Sequence, residues 1–572
     1  MDSVVFEISS SDYKRENIFL NKNWLSTIDL NNGIYSTNQI IIDSSALSNS
    51  NRYINYREGV LIVPLLYTLS CTTNSAAFAP NTTATSCDYC VGMKNFFFSI
   101  VHSLSLELQG GTIVQTTPFT AMYQAFVLLT SLSYNDVIVL GPSIGFWPDT
   151  SLALGYFPTT ATPSGVGVCN NQNFPAAGGV VSGAWNSYET FNQGLYKRQQ
   201  FMNYNADGLT NVGGSAWSVL MSKPNLNTIY KSNVIQKANG TGAGNGFGVW
   251  QSQVIGAIRL RDLHDFFEKV PMAKNLFMKL TLNINQTSVQ LSTDAAAPPN
   301  VTVTSVTSPL GGVNTIMIAS TLANNGSNGA LPASLSYIAS VAVGADCLNQ
   351  TQKTGTQLVS GFMRNVTLIV PSYQFNPVYE KMYLESPIRE VSYSDLYSYQ
   401  VYGVGSGTNF NQNLSNGISG LRNIVVMPYY SPAAVNGGIS PILSPSDPAG
   451  CGPTSPLVFL NNFQVTVSGQ NAIYNTQIST YQNFWNNLNG ALCINANQID
   501  GNSGNGVLSQ IDFETEYCYF YVDLSRNLPI ENQVAKSVSI SGTNMSALSV
   551  DLYCFLVYDT KVVLNLYTGL RV

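Results

Sequence analysis

The strongest constraint on this chain is a pattern that it carries twice. Leu104, Leu106 and Leu108 alternate with polar residues and are followed by Gly110, Val114, Phe119, Met122, Phe126 and Leu129. At a constant offset of 359 positions stand Phe463, Val465, Val467, Gly469, Ile473, Ile478, Tyr481, Trp485 and Leu488. An apolar period of two, a glycine and then helical spacing encode a strand, a turn and a short amphipathic helix. Phe126 and Trp485 are therefore expected to be equally buried. Leu61-Ile62-Val63-Pro64 matches Val425-Val426-Met427-Pro428 at an offset of 364, and Ile258 and Leu260 match Val522 and Leu524 at 264. The three correspondences keep one order along the chain, so the sequence reads as one fold written twice. Two copies are too few for a solenoid or propeller and imply a tandem of similar domains.

Strand signals dominate both halves, without the regular strand–helix alternation of a parallel α/β sheet. Antiparallel β domains follow. In the first half they are Gln39 to Asp43, Gly59 to Leu66, Lys94 to Leu108 and Leu276 to Ile284; in the second, Arg364 to Tyr373, Ile388 to Val401, Leu421 to Met427, Leu457 to Val467, Tyr517 to Leu524 and Leu548 to Tyr558. The connection after Leu129 is 95 residues longer than its counterpart after Leu488, so a protruding subdomain is expected over about 131–254. Such insertions are usually surface elaborations. After Leu260, Leu263, Phe266, Phe267 and Val270 fall on one helical stripe that Asp262 is placed to cap and Pro271 to stop. That helix should seal one end of the first sandwich. The first domain is expected over 1–290 and the second over 291–572, the latter opening with a linker and loop region at about 291–360.

Composition bounds the function. Of the 572 residues only 10% are charged, against about 25% in ordinary globular proteins. A surface so poor in charge suits burial against neighbouring subunits. The net charge of −6 and the lack of a basic run argue against direct nucleic-acid binding. The amino terminus lacks the order of a secretory signal, and apolar runs such as Gly59 to Leu66 are too short to span a bilayer. Nine scattered cysteines show no compact disulfide framework and read as reduced thiols.

Residue types that carry chemistry are sparse. His102 lies on an alternating strand, and His264 falls off the apolar stripe of its helix as a solvated residue; no motif places a nucleophile near either. Cys87-Asp88-Tyr89-Cys90 lacks the second ligand pair of a zinc site. The glycine run Gly240 to Gly248 has no Gly-Lys-Ser/Thr ending and reads as a loop. Glu514 and Glu516 alternate as on a solvated strand. Nine Asn-x-Ser/Thr sequons, at Asn81, Asn239, Asn285, Asn300, Asn325, Asn349, Asn365, Asn413 and Asn544, match the Asn-, Ser- and Thr-rich composition. No catalytic, cofactor-binding or metal-binding residue is assigned.

Three segments carry a family resemblance: IGAIRLRDLHDFFEKVPMAKNLFMKLTLNIN (255–285), MRNVTLIVPSYQFNPVYEKMYLESPIREVSYSDLYSY (363–399) and PLVFLNNFQVTVSGQNAIY (456–474). With the duplication, the chain resembles the double jelly-roll major capsid proteins, most closely those of virophages and polinton-like viruses. The resemblance implies an all-β chain of two tandem eight-stranded jelly rolls with short helices and long loop insertions. It also implies a homotrimer forming a pseudo-hexagonal capsomer, neighbouring capsomers tiling an icosahedral shell, a penton protein at the vertices, and a place in the virion after assembly inside the host cell. It carries over no active site. The alternative is a carbohydrate-binding or other β-sandwich protein on paired jelly rolls; a cupin would need clustered histidines that two distant ones cannot supply.

Overall fold

The structure is a computed structural model that describes residues 17–48, 52–71, 91–115, 117–148, 235–238, 248–293, 301–318, 336–344, 364–432, 439–445, 449–455, 458–472, 480–490, 507–524 and 534–572. In the first half the principal strands are β1 (Phe19–Ile28), β2 (Gln39–Asp43), β3 (Val60–Cys71), β4 (Val101–Leu108), β5 (Gly111–Val114), β6 (Gly248–Arg259), β7 (Met278–Ile284) and β8 (Thr367–Phe375). They pair antiparallel as β1-β8-β3-β6 and β2-β7-β4-β5. In the second half come β9 (Ile388–Val404), β10 (Asn409–Ile418), β11 (Leu421–Tyr430), β12 (Leu460–Val467), β13 (Gln470–Asn471), β14 (Phe520–Asp523), β15 (Lys536–Asn544) and β16 (Val550–Asn565). Their sheets run β9-β16-β11-β14 and β10-β15-β12-β13. Adding eight to each label of the first pair of sheets gives the second pair. Each half is a jelly roll, with the first and last strands side by side at one end of one sheet's order, and the fold is a double jelly roll.

Alternation sets the sandwich cores. Met278, Leu280, Leu282 and Ile284 of β7 point inward with Leu104, Leu106 and Leu108 of β4, while the residues between them reach solvent to varying degrees. Gly110 and Gly469 occupy equivalent hairpins, β4–β5 and β12–β13. In both, the two central residues have positive φ: Gln109 at 52° and Gly110 at 80°, Ser468 at 48° and Gly469 at 83°. That pair of angles defines a type I′ turn, whose twist matches the flanking strands and which favours glycine at its second position. The duplicated glycine of the sequence is thus a duplicated turn.

Three expectations change in register or extent. Leu61 pairs with Ile258 on the inner face of the first roll, and Ile424 pairs with Val522 on the inner face of the second. The counterpart of Leu61 is therefore Ile424 and not Val425, because a slip of one residue turns a strand residue to the opposite face. Phe126 is fully buried whereas Trp485 is 40% exposed; its neighbour Phe484, at 2%, takes the buried place. By hydrogen bonding, the change of roll falls between Phe375 and Ile388 and not near 290. Ser288–Thr293, Val301–Thr307 and Ser336–Val343 extend the β3 side of the first roll, and β8 closes its sheet against β1 and β3. Of the expected insertion at 131–254, residues 149–234 and 239–247 lie outside the described residues, and so do Ile473 and Ile478.

The short helix Pro377–Tyr383 bridges the rolls, with Asn376 Oδ1 accepting from Val378 N at 3.2 Å and proline at its start. The end of the chain returns to the first roll. Gln109 Nε2 donates to Gly569 O at 2.7 Å and Arg571 N donates to Gln109 Oε1 at 3.1 Å, tying the carboxyl terminus to the β4–β5 hairpin.

Candidate functional site

The most heavily built region is the seam between the rolls. Strand β11 and the first half of β16, Val550 to Val557, are buried almost without interruption, and the reason is a sheet covered on both sides. Ile424, Val426, Leu552, Cys554 and Leu556 face the core of the second roll; Val425, Met427, Tyr429, Tyr553, Phe555 and Val557 face the first roll and belong to its core. The covering element is α1 (Thr120–Ser131). Its aromatic residues and the one preceding it meet the sheet edge to face: Phe119 with Tyr553 at 5.1 Å between centroids, Phe126 with Tyr519 at 5.0 Å. Tyr123 lies 6.0 Å from Phe555. Such pairs add about 0.5–1.5 kcal/mol each beyond the area they bury. The equivalent helix of the second half, α2 (Tyr481–Gly490), lays Phe484 near the same Tyr519 and Tyr521.

A polar row runs beside these rings and fixes register. Thr117 Oγ1 donates to Leu396 O at 2.8 Å, Tyr393 Oη to Ile113 O at 2.7 Å, and Ser394 N to Asp265 Oδ2 at 2.9 Å. The helix α1 begins only at Thr120, and the Thr117 hydroxyl serves the seam. Burial pushes the Tyr393 hydroxyl up to about 12. A cavity of about 160 Å³ opens here, lined by residues of both rolls, among them Gln124, His264, Asp395 and Asn423.

His264 overturns two expectations. It interrupts the helix expected after Leu260, standing in extended conformation between Leu260–Leu263 and Asp265–Lys269 and capping the latter through Nδ1, which accepts from Phe266 N at 3.2 Å. It is also buried, not solvated. Because Nδ1 accepts, Nε2 carries the proton and faces Asp395 Oδ1 at 3.3 Å; Tyr558 Oη donates to Asp395 Oδ2 at 3.1 Å. Both ring nitrogens are engaged, so this histidine has none directed at a neighbouring hydroxyl as a general base requires. It joins the rolls. Asp262 caps nothing: Arg259 grips it through Nε at 2.6 Å and Nη2 at 2.9 Å, while burial raises its pKa against the pull of that guanidinium. Phe266 and Phe267 are fully buried, and Phe266 meets Tyr393 edge-on at 5.3 Å, so the segment packs on β9 at the seam and not on a free end of the sandwich.

Lys94 is the seam residue that sequence reasoning missed. Fully buried, it points Nζ at the carbonyls of Ala449 (3.1 Å), Ile442 (3.2 Å) and Pro441 (3.4 Å), a loop of the opposite roll. Its place within an apolar stretch before Phe96, Phe97 and Phe98 was the available signal.

The remaining candidates scatter. His102 sits on β4, where burial lowers its pKa, with Phe119 edge-on at 5.2 Å. Glu514 lies in the helix Gln510–Thr515 and Glu516 just beyond it, not on a strand; Glu516 is buried and Glu514 is not on the same face of a sheet. Asn285 and Asn544 of the sequons are buried and donate to Val313 O and Val404 O. Cys87, Cys90 and residues 240–247 lie outside the described residues. Among the described residues no three His, Cys, Asp or Glu side chains cluster as metal ligands, and no helix is long and apolar enough to cross a membrane.

No protein-family model and no curated protein matches the sequence. Solved structures do. A chain in the cryo-EM structure of the Sputnik virophage is similar over 97% of this chain and 88% of its own, with a TM-score of 0.50 at 10% identity. The mavirus major capsid protein aligns over 96% of this chain and 89% of its own, with a TM-score of 0.42 at 10% identity. The first of these likenesses covers both rolls and agrees with the fold read from the strand pairing.

Proposed function

We propose that this chain is the major capsid protein of an icosahedral virus, assembled inside the host cell and resident in the virion. Three copies form a capsomer of six rolls, capsomers tile the shell, and a separate penton protein closes the vertices. The observation that carries this reading is the pair of jelly rolls of identical strand order locked through one apolar core. It is reinforced by the likeness, over nearly the whole chain, to a chain of a virophage structure. The work of such a protein is geometric: the seam holds two β-sandwiches at one fixed angle, so lateral contacts repeat without adjustment. The sparse charge of the sequence suits flanks that neighbours cover.

Light scattering and negative-stain microscopy of the purified full chain test it. A trimer giving hexagonal outlines or arrays is expected. A well-behaved monomer at micromolar concentration would overturn the reading in favour of a carbohydrate-binding protein on the same fold.

A further inference from the structure

Strand β1 ends in the turn Asp29-Leu30-Asn31-Asn32-Gly33, beside the entry to β8. Asp29 N donates to Val366 O at 3.0 Å, and Asp29 is only 3% exposed. Neither of its carboxylate oxygens has a hydrogen-bond partner, and no lysine, arginine or histidine pairs with it among the described residues. Tyr35 Oη, which accepts from Val366 N at 2.8 Å, stands nearby: burial raises the pKa of that hydroxyl, and the charge of Asp29 raises it further. The single hydroxyl proton serves at most one of the two oxygens. A carboxylate buried in this way is costly unless something compensates its charge. The other groups that converge here are oxygens. A Cβ added to Gly344 would stand 3.1 Å from Arg364 O, 3.2 Å from Tyr35 Cε2 and 3.3 Å from Gly33 O; one added to Gly33 would stand 2.5 Å from Asn365 Oδ1 and 3.1 Å from Arg364 O. Gly33 and Gly344 have φ of 79° and 91°, and the absence of side chains there lets the two turns approach this closely.

We infer that this turn is a calcium site, with Asp29 as its one charged ligand and its neutral ligands drawn from Tyr35 Oη, Gly33 O, Arg364 O and Asn365 Oδ1. An all-oxygen donor set on turns suits a hard cation that tolerates irregular coordination, and so calcium before magnesium, whose octahedron is strict. Positions 29, 31 and 33 also follow the alternate spacing by which calcium loops present successive oxygens. Asn31 departs from that pattern, since its Oδ1 accepts from Ile41 N at 2.9 Å and pins the turn to β2. A single carboxylate sets the affinity at the weak end of the range, about 10⁻⁴–10⁻³ M. The ion would fasten the exit of β1 to the entry of β8, the two strands whose pairing closes the first roll. The site belongs to the first roll alone and does not depend on the capsid reading.

Calcium chloride titrated into the full chain after treatment with a chelator tests it. At about ten times the dissociation constant the melting temperature should rise by about 1–2 °C, and terbium bound in calcium's place should luminesce on excitation of the adjacent Tyr35. Asp29→Asn keeps the shape and removes the charge; it should need at least about tenfold more calcium for the same rise and should lose that luminescence. A wild-type chain indifferent to calcium, or an Asp29→Asn variant that responds as the wild type does, would overturn the inference and leave water as the partner of the carboxylate. Should Asp29→Asn misfold, wild-type crystals soaked in terbium decide. An anomalous peak within about 2.6 Å of an Asp29 carboxylate oxygen is expected; no peak there would contradict the proposal and leave the capsid reading untouched.

Discussion

At the residue scale, aromatic rings and one lysine hold the molecule's geometry. Phe126→Ala removes a fully buried ring at the seam and should cost about 3–5 kcal/mol in chemical denaturation; Phe484→Ala, which empties the equivalent position of the second half, should cost a similar amount. Replacing Lys94 with methionine keeps the chain length but withdraws the donor from three buried carbonyls, a loss of roughly 2–5 kcal/mol. Limited proteolysis should then cut near 439–449 sooner than in the wild type; an unchanged cleavage pattern and melting temperature would contradict the staple. Burial also fixes an alkaline limit. Tyr56 and Tyr393 are pushed up to about 12 from an ordinary 10.0, and the Cys518 thiol up to about 12 from 9.0. Their folded pKa values are raised, so their contribution is complete below the ordinary values and lost as pH rises through the folded ones. The melting temperature should therefore hold to about pH 9 and fall steeply above pH 10, with tyrosine ionisation and unfolding coincident by ultraviolet titration.

At the element scale, what was legible in the sequence was strand identity, and what escaped was facing. The hairpin glycines were readable because positive φ at two successive residues leaves few alternatives, and Gly110→Ala and Gly469→Ala should each cost about 1–2 kcal/mol from backbone strain alone, since an added Cβ meets nothing within 4 Å at either. The slip between Leu61 and its counterpart, and that between Trp485 and Phe484, have one cause. β11 is buried on both faces and α2 carries two adjacent aromatic residues, so alternation there no longer distinguishes inside from outside. His264 looked solvated because its facing was judged on a continuous helix, whereas the chain breaks at that residue and turns the ring toward Asp395. The first roll's last strand was assigned to the second roll because the intervening strands Ser288–Thr293, Val301–Thr307 and Ser336–Val343 lie in Thr-, Asn- and Gly-rich sequence that resembles linker. Only pairing partners reveal that β8 returns to β1 and β3.

At the scale of the whole molecule, one core spans the seam, so the rolls are not independent units. Expressed alone, residues 388–572 would expose Tyr429, Tyr519, Tyr521, Tyr553 and Phe555 together, and that fragment should aggregate or bind a hydrophobic dye where the full chain does not. A soluble, dye-silent fragment with a cooperative melt would show that the seam is dispensable. On the capsid reading proposed above, flanks covered by neighbouring copies account for so few charges. A single-particle reconstruction of the purified oligomer tests this claim most directly. It should show three chains, six rolls in one closed ring; a lone pair of rolls, or an open assembly of another number of chains, would contradict it.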